Sequence, residues 1–407
     1  MLYRPILGSV VAIILAGCAG ASGVPGSSPN VPPSGPSASA SAPASSAPAS
    51  GAPASGADVL TYRGDAARTG EMPGPGPAGK PQIRWTFQAG APIGSQVAVV
   101  GQTIYLLSTD GQVHALDLAT GTSRWSASTG AETHGSPTIA DGFLIVGADD
   151  AAHAFGLADG RVGWRATQTG TVRGAPATVG HVAVFAGGDG TITALDTRSG
   201  TVLWQRSLGA PDNSSVAAAD GVAILGLENG IVVALALADG HERWRTDTGD
   251  GARIGTPTIA GGRVFVPTLE GGGPGTRHIL AMDLATGQLQ WRFASPGDKP
   301  AYAPAIADGR AIVEGENGTV TALDPTTGKV IWQAAAPGLV EVVAASTGGV
   351  VYGASNGGFA FALDASSGLE RWRVPIKGVP YGVAVASGLV LVGTNLGTLD
   401  AIGGVAQ

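Results

Sequence analysis

Cysteine is almost missing from this chain. One residue in 407, Cys18, carries a thiol, so no disulfide can form within the chain and no Cys-x-x-Cys-His haem attachment is possible. Charge is scarce as well: Asp, Glu, Lys and Arg together reach 13%, with a formal net charge of −7 and no basic stripe. The positive surface that would neutralise phosphates is absent, which argues against nucleic acid as a partner. The apolar run from Ile6 to Ala16 is too short to span a bilayer. No His-Glu-x-x-His string occurs, so the zincin reading has no support.

What the chain does have is glycine, 66 residues of it, set among apolar residues at 44%. That profile suits many short strands and tight turns rather than long surface helices, and points to an all-β fold.

The N-terminus reads as an export signal. Arg4 precedes the apolar run, and Leu15-Ala16-Gly17-Cys18 follows it directly. Small residues before a cysteine form a lipobox, in which the thiol takes a diacylglycerol and becomes the first residue of the mature protein. Residues 1–17 are therefore expected to be a lipoprotein signal peptide and Cys18 the lipidation site, placing the chain outside the cytoplasm on a membrane surface. From 18 to 57 the sequence is almost wholly Ala, Ser, Pro and Gly, a composition with nothing to bury. It is expected to be a flexible, disordered tether. The remaining residues, 58–407, form the globular domain.

Eight tryptophans divide that domain: Trp85, Trp125, Trp164, Trp204, Trp244, Trp291, Trp332 and Trp372, spaced 40, 39, 40, 40, 47, 41 and 40 residues apart. A fixed period of this length is the mark of a repeat fold. Four residues before each Trp from the second onward stands a glycine: Gly121, Gly160, Gly200, Gly240, Gly287, Gly328 and Gly368. Eight residues before come Asp117, Gly156, Asp196, Ala236, Asp283, Asp324 and Asp364, which end strands such as Val113 to Asp117. Asp141-Gly142, Asp189-Gly190 and Asn229-Gly230 mark hairpins. Each period thus reads as four antiparallel strands, one propeller blade. The last repeat stops before any Trp strand, while Ile83 to Phe87 is a Trp strand with no blade of its own. Joining them gives an eight-bladed β-propeller closed by its N-terminal strand, expected to be monomeric.

The Ala-Leu-Asp-x-x-Thr-Gly-x-x-x-Trp pattern, complete from Ala115 to Trp125 and varied as Ala281-Met282-Asp283 before Trp291, resembles the pyrroloquinoline-quinone (PQQ) propeller repeat. The segment Tyr62-Arg63-Gly64-Asp65-Ala66-Ala67-Arg68-Thr69-Gly70 also looks like the opening common in bacterial lipoproteins of that group. One branch is the quinoprotein dehydrogenases, where the resemblance implies PQQ and calcium on the propeller axis and often a vicinal cysteine pair. The other is similar to the outer-membrane assembly factor BamB family, which implies a non-catalytic propeller that binds protein partners. A single cysteine, and a chain without length for the usual enzyme loops, favour the second. The expectation is no enzyme activity and no cofactor. The partner would be an envelope protein or a wall component.

Counting nine residues past each Trp reaches Gly94, His134, Arg173, Asn213, Arg253, Pro300, Glu341 and Tyr381, with Tyr302 replacing Pro300 if the register slips. Every blade contributes this loop to the same mouth of the axial channel. His134, Arg173, Asn213, Arg253, Tyr302, Glu341 and Tyr381 are therefore the candidate partner-binding residues. No metal site is expected: Glu228-Asn229-Gly230 and Glu314 to Gly318 sit in hairpin register, and His114 and His153 fill a repeated strand position as packed residues. Arg63-Gly64-Asp65 matches an adhesion tripeptide but belongs to the opening segment.

Overall fold

A computed structural model describes residues 58–405 except 168–170, 211–213, 250, 270–276, 295–301, 316–317, 337, 339 and 347, with backbone alone for 340–346 and 405. Cys18 and the Ala/Ser/Pro/Gly-rich segment lie outside the described residues.

Eight antiparallel sheets form a ring. Blades 1 to 7 occupy residues 98–128, 138–166, 177–207, 217–247, 258–294, 305–335 and 340–375 in chain order. Blade 8 combines residues 380–405 with the strand Lys80–Gln88, which pairs antiparallel with Thr398–Val405 from Lys80 opposite Val405 to Gln88 opposite Thr398. The N-terminal strand thus closes the ring. Blade 7 gains a short parallel fifth strand, Glu71–Met72, on its inner edge.

Burial falls from axis to rim. The second strand Thr103–Leu107 is buried at every residue, because both its faces meet neighbouring blades, whereas the fourth strand Ser123–Ser128 alternates between exposed and half-buried. Where the first hairpin of a blade carries Asp-Gly, both residues take positive φ, as at Asp141 (50°) and Gly142 (80°). The second hairpin differs: at Asp110-Gly111 only Gly111 is left-handed. There Ser108 N bonds to Gln112 O and the loop holds three residues, which needs one left-handed position at its end.

Each fourth strand carries one extra residue directly before its Trp: Ala115 lies opposite Trp125, but Leu116 lies opposite Ser123. This bulge turns the indole toward the following blade. The Trp204 ring lies against Gly240, where a Cβ would sit 2.5 Å from Cε3, and its Nε1 donates to Leu237 O at 2.8 Å. The same pair of contacts joins Trp85, Trp125, Trp164, Trp244, Trp291 and Trp332 to the next blade's turn, with indole bonds of 2.9–3.2 Å. The glycine four residues before each Trp from Trp125 onward therefore serves the Trp of the blade before it. It also holds φ near +70°, as at Gly240.

The structure adds an element that periodicity does not mark. Residues 58–76 form an arm along the free edges of the inner strands, meeting the blades in chain order. Val59 bridges Val99 of blade 1, and the carbonyls of Leu60, Ala66, Ala67 and Thr69 accept from Ile139, Ala218, Ile259 and Ile306 of blades 2, 4, 5 and 6. Glu71–Met72 pairs with Ala345 and Ser346 of blade 7, and Gly74 bridges Ala386 of blade 8. Blade 3 is reached by Arg68, fully buried, whose Nη2 donates to Ala175 O at 3.1 Å and Pro176 O at 2.7 Å while Nε donates to Val216 O at 2.8 Å. Burial lowers this guanidinium to about 10. Without the arm, the inner edges would present unpaired amides to the channel.

Two outcomes follow for stability. Deleting residues 1–57 leaves the melting temperature unchanged, whereas deletion through residue 77, which spares the closing strand, costs more than about 4 kcal/mol in denaturant unfolding through lost edge bonds. Gly240→Ala meets both a clash and a left-handed backbone, for about 3 kcal/mol. Gly142→Ala, with φ at +80° but no atom within 4 Å of its Cβ, costs only about 1 kcal/mol in the same measurement.

Candidate functional site

The loops before the inner strands of blades 5 and 6 meet the arm at one place. Arg253, Tyr302 and Tyr62 line a common cleft of about 340 Å³, walled by Ile254, Pro267 and Leu269. Arg253 is exposed, with Nη1 4.0 Å from Glu228 Oε1, and Tyr302 is 43% exposed. The Tyr62 ring lies 5.8 Å from the Arg68 guanidinium, so the cleft stands on the buried hub of the arm. Its chemistry is two phenol rings and one cation on an apolar wall, suited to an apolar or aromatic side chain beside a carboxylate.

The other predicted mouth residues are distributed around the ring. His134, half-buried in the loop before blade 2, faces Asp149 and Glu132 at 3.3 and 3.9 Å. Arg173 and Tyr381 are exposed, and neither lines the cleft. Asn213 and Pro300 lie outside the described residues, and Glu341 is described only as backbone of the strand Val340–Ser346. Of the expected mouth residues whose side chains are described, Arg253 and Tyr302 share a cleft.

A family model described as "Outer membrane protein assembly factor BamB" matches residues 78–221, 188–341 and 316–403, nearly the whole ring. The chain belongs to this family of PQQ-like propellers. The BamB of Yersinia pestis is 28% identical over 175 residues, which cover 39% of this chain and 42% of that protein. The aligned stretch thus spans under half the length of that relative. The crystal structure of BamB from Moraxella catarrhalis superposes with a TM-score of 0.67 at 17% identity, covering 80% of this chain and 100% of the other. A quinohemoprotein alcohol dehydrogenase from Comamonas testosteroni superposes with a TM-score of 0.69 at 15% identity, covering 86% of this chain and 81% of its own. These two likenesses concern the fold alone.

Several residues that carry chemistry elsewhere have structural neighbours in this BamB-type ring. Arg63, 4% exposed, donates from Nε to Arg68 O at 3.1 Å, and Asp65 Oδ1 accepts from Thr69 N at 3.0 Å, so the Arg-Gly-Asp string is folded into the arm. His114 packs its edge against Phe87 with centroids 5.4 Å apart, and burial lowers its pKa. His153, 3% exposed, places Nε2 3.0 Å from Asp150 Oδ1. Gly-x-Ser-x-Gly occurs once, from Gly353 to Gly357. Its Ser355 is fully buried at the end of the strand Val350–Ser355 and leads into a hairpin rather than a helix, so it is not a nucleophile elbow.

Tyr62 is the cleft residue that repeat counting cannot find, because it belongs to no repeat. The signal that could have placed it is Arg68, a charged residue in an apolar stretch that must be paired if buried.

Proposed function

We propose that this propeller is a lipid-anchored scaffold outside the cytoplasm, without catalysis, that captures a protein or wall component of the cell envelope through its mouth. The carrying observation is the arm. It follows the inner strands from blade to blade, and Arg68 ends there with carbonyl partners from the segments entering blades 3 and 4. A quinone and calcium on the axis would have to share the inner edges with this segment, and the vicinal cysteine pair that the resemblance implies cannot be formed from one cysteine. This supports a reading without that group, in which the binding surface is the mouth, where Arg253, Tyr302 and Tyr62 meet. Membership of a family named for outer membrane protein assembly supports a partner from the envelope assembly apparatus. Lipidation at Cys18 would hold the ring beside such partners.

Cross-linked capture from the native envelope tests the reading. Arg253→Ala and Tyr302→Ala are expected to keep the wild-type melting temperature and to weaken capture of the same partner by about tenfold each, as interface anchors do. Unchanged capture by both would remove the mouth from the mechanism. In parallel, the purified domain is titrated with PQQ and calcium: stoichiometric binding with alcohol-dependent dye reduction would replace the scaffold reading with a dehydrogenase. Cys18→Ser is expected to leave the fold intact and move the protein from the membrane to the soluble fraction after a salt wash.

A further inference from the structure

His134, Glu132 and Asp149 form a cluster at the mouth separate from the cleft, with one ligand atom from each lying within 4.8 Å of the others. His134 Nε2 stands 3.3 Å from Asp149 Oδ1 and 3.9 Å from Glu132 Oε2. The ligand atoms of a tetrahedral zinc stand roughly 3.3 Å apart, given metal distances near 2.0–2.1 Å. The His134–Asp149 pair already has that separation, and Glu132 Oε2, 3.9 Å from His134 Nε2, would close on it by about 0.6 Å.

A second observation points the same way. His134 Nε2 and Asp149 Oδ1 are buried atoms that make no hydrogen bond, although they face each other. In the His134 tautomer that carries its hydrogen on Nδ1, both facing atoms are acceptors, and a cation between them would satisfy the two together. The neighbouring carboxylate is already engaged: Asp150 binds Arg165 at 2.5 Å and His153 at 3.0 Å, which leaves Asp149 to the cluster. The backbone holds the two loops in register. Thr133 bridges Ala148, Asp149 N donates to Glu132 O at 3.0 Å, and Thr171 Oγ1 donates to Asp149 O at 3.0 Å.

We propose that Glu132, His134 and Asp149 bind one divalent transition cation, zinc in the first place, at the mouth beside blade 2. An imidazole with two carboxylates suits zinc better than calcium, which prefers oxygen ligands alone. Three protein ligands leave one tetrahedral position for water or for a side chain brought by a partner. The ligands come from two different loops, and of the three only His134 stands at a repeated position, nine residues past a Trp, so motif counting passes over the set.

Calorimetry with zinc chloride on the full propeller is expected to give one equivalent bound, and cobalt(II) in its place to give the intense d–d absorption of a tetrahedral site. His134→Ala and Asp149→Asn should each weaken uptake by more than about tenfold, while His181→Ala, at an exposed histidine bound to Asp141, leaves it unchanged. If His134→Ala unfolds, Glu132→Gln on the exposed side supplies the same comparison. Absence of saturable uptake, or uptake that survives these ligand substitutions, overturns the site.

Discussion

The seam between neighbouring blades is the interaction on which the ring depends. In each of seven seams an indole covers a glycine of the next blade and donates its proton to a carbonyl of the same turn. Area and direction are supplied together: the ring fills the gap, and the N–H sets how far one blade rotates past the next. The eighth seam cannot repeat the device, because the third and fourth strands of blade 8 come from opposite ends of the chain and no turn joins them. There Trp372 packs on Tyr352, with centroids 5.9 Å apart, beside the residues of blade 8.

The turn that receives each indole has its own chemistry. Asp117, Asp283, Asp324 and Asp364 accept backbone and hydroxyl hydrogens from the residues that follow, and these bonds, with Arg124 and Arg371 bound to the first and last, hold the carboxylates below their usual range. Asp196, paired with Arg198, is held down to about 2. Blades 2 and 4 carry Gly156 and Ala236 at this position, yet their seams are intact. In them Asp159 and Asp239, one residue before the glycine, accept from Arg161 N and His241 N. The aspartate thus shapes the turn, and the seam tolerates either placement of it.

Blade number, strand count and the closing strand were legible because each rests on recurring local signals: a Trp in all eight repeats, a glycine four residues before seven of them, and hairpin turns such as Asp-Gly. The arm was not legible. Its residues satisfy amides of inner strands spread over most of the chain, and Ala66 and Ala67 look like filler until the acceptors they offer are matched to Ala218 and Ile259. The mouth was legible in part. Equal counting found Arg253 and Tyr302 together, but the insertion in blade 5 shifts the register, and Tyr62 and Asp149 enter from segments the count does not reach.

The arm is the earliest part of the ring to be synthesised, and its hydrogen-bond partners are distributed from Val99 to Gly388 in the order in which the blades are made. A chain leaving the ribosome or crossing a membrane with its N-terminus first carries the hub before any spoke exists. Each new blade supplies one more anchor for a strand that is already waiting, and the circle closes only when the last forty or so residues reach it. Ring assembly is therefore ordered in time as well as in space. Such long-range pairing slows folding and leaves partly built rings with open edges. A truncated product lacks the final anchors, so an incomplete molecule is distinguished from a finished one by the free end of its own arm.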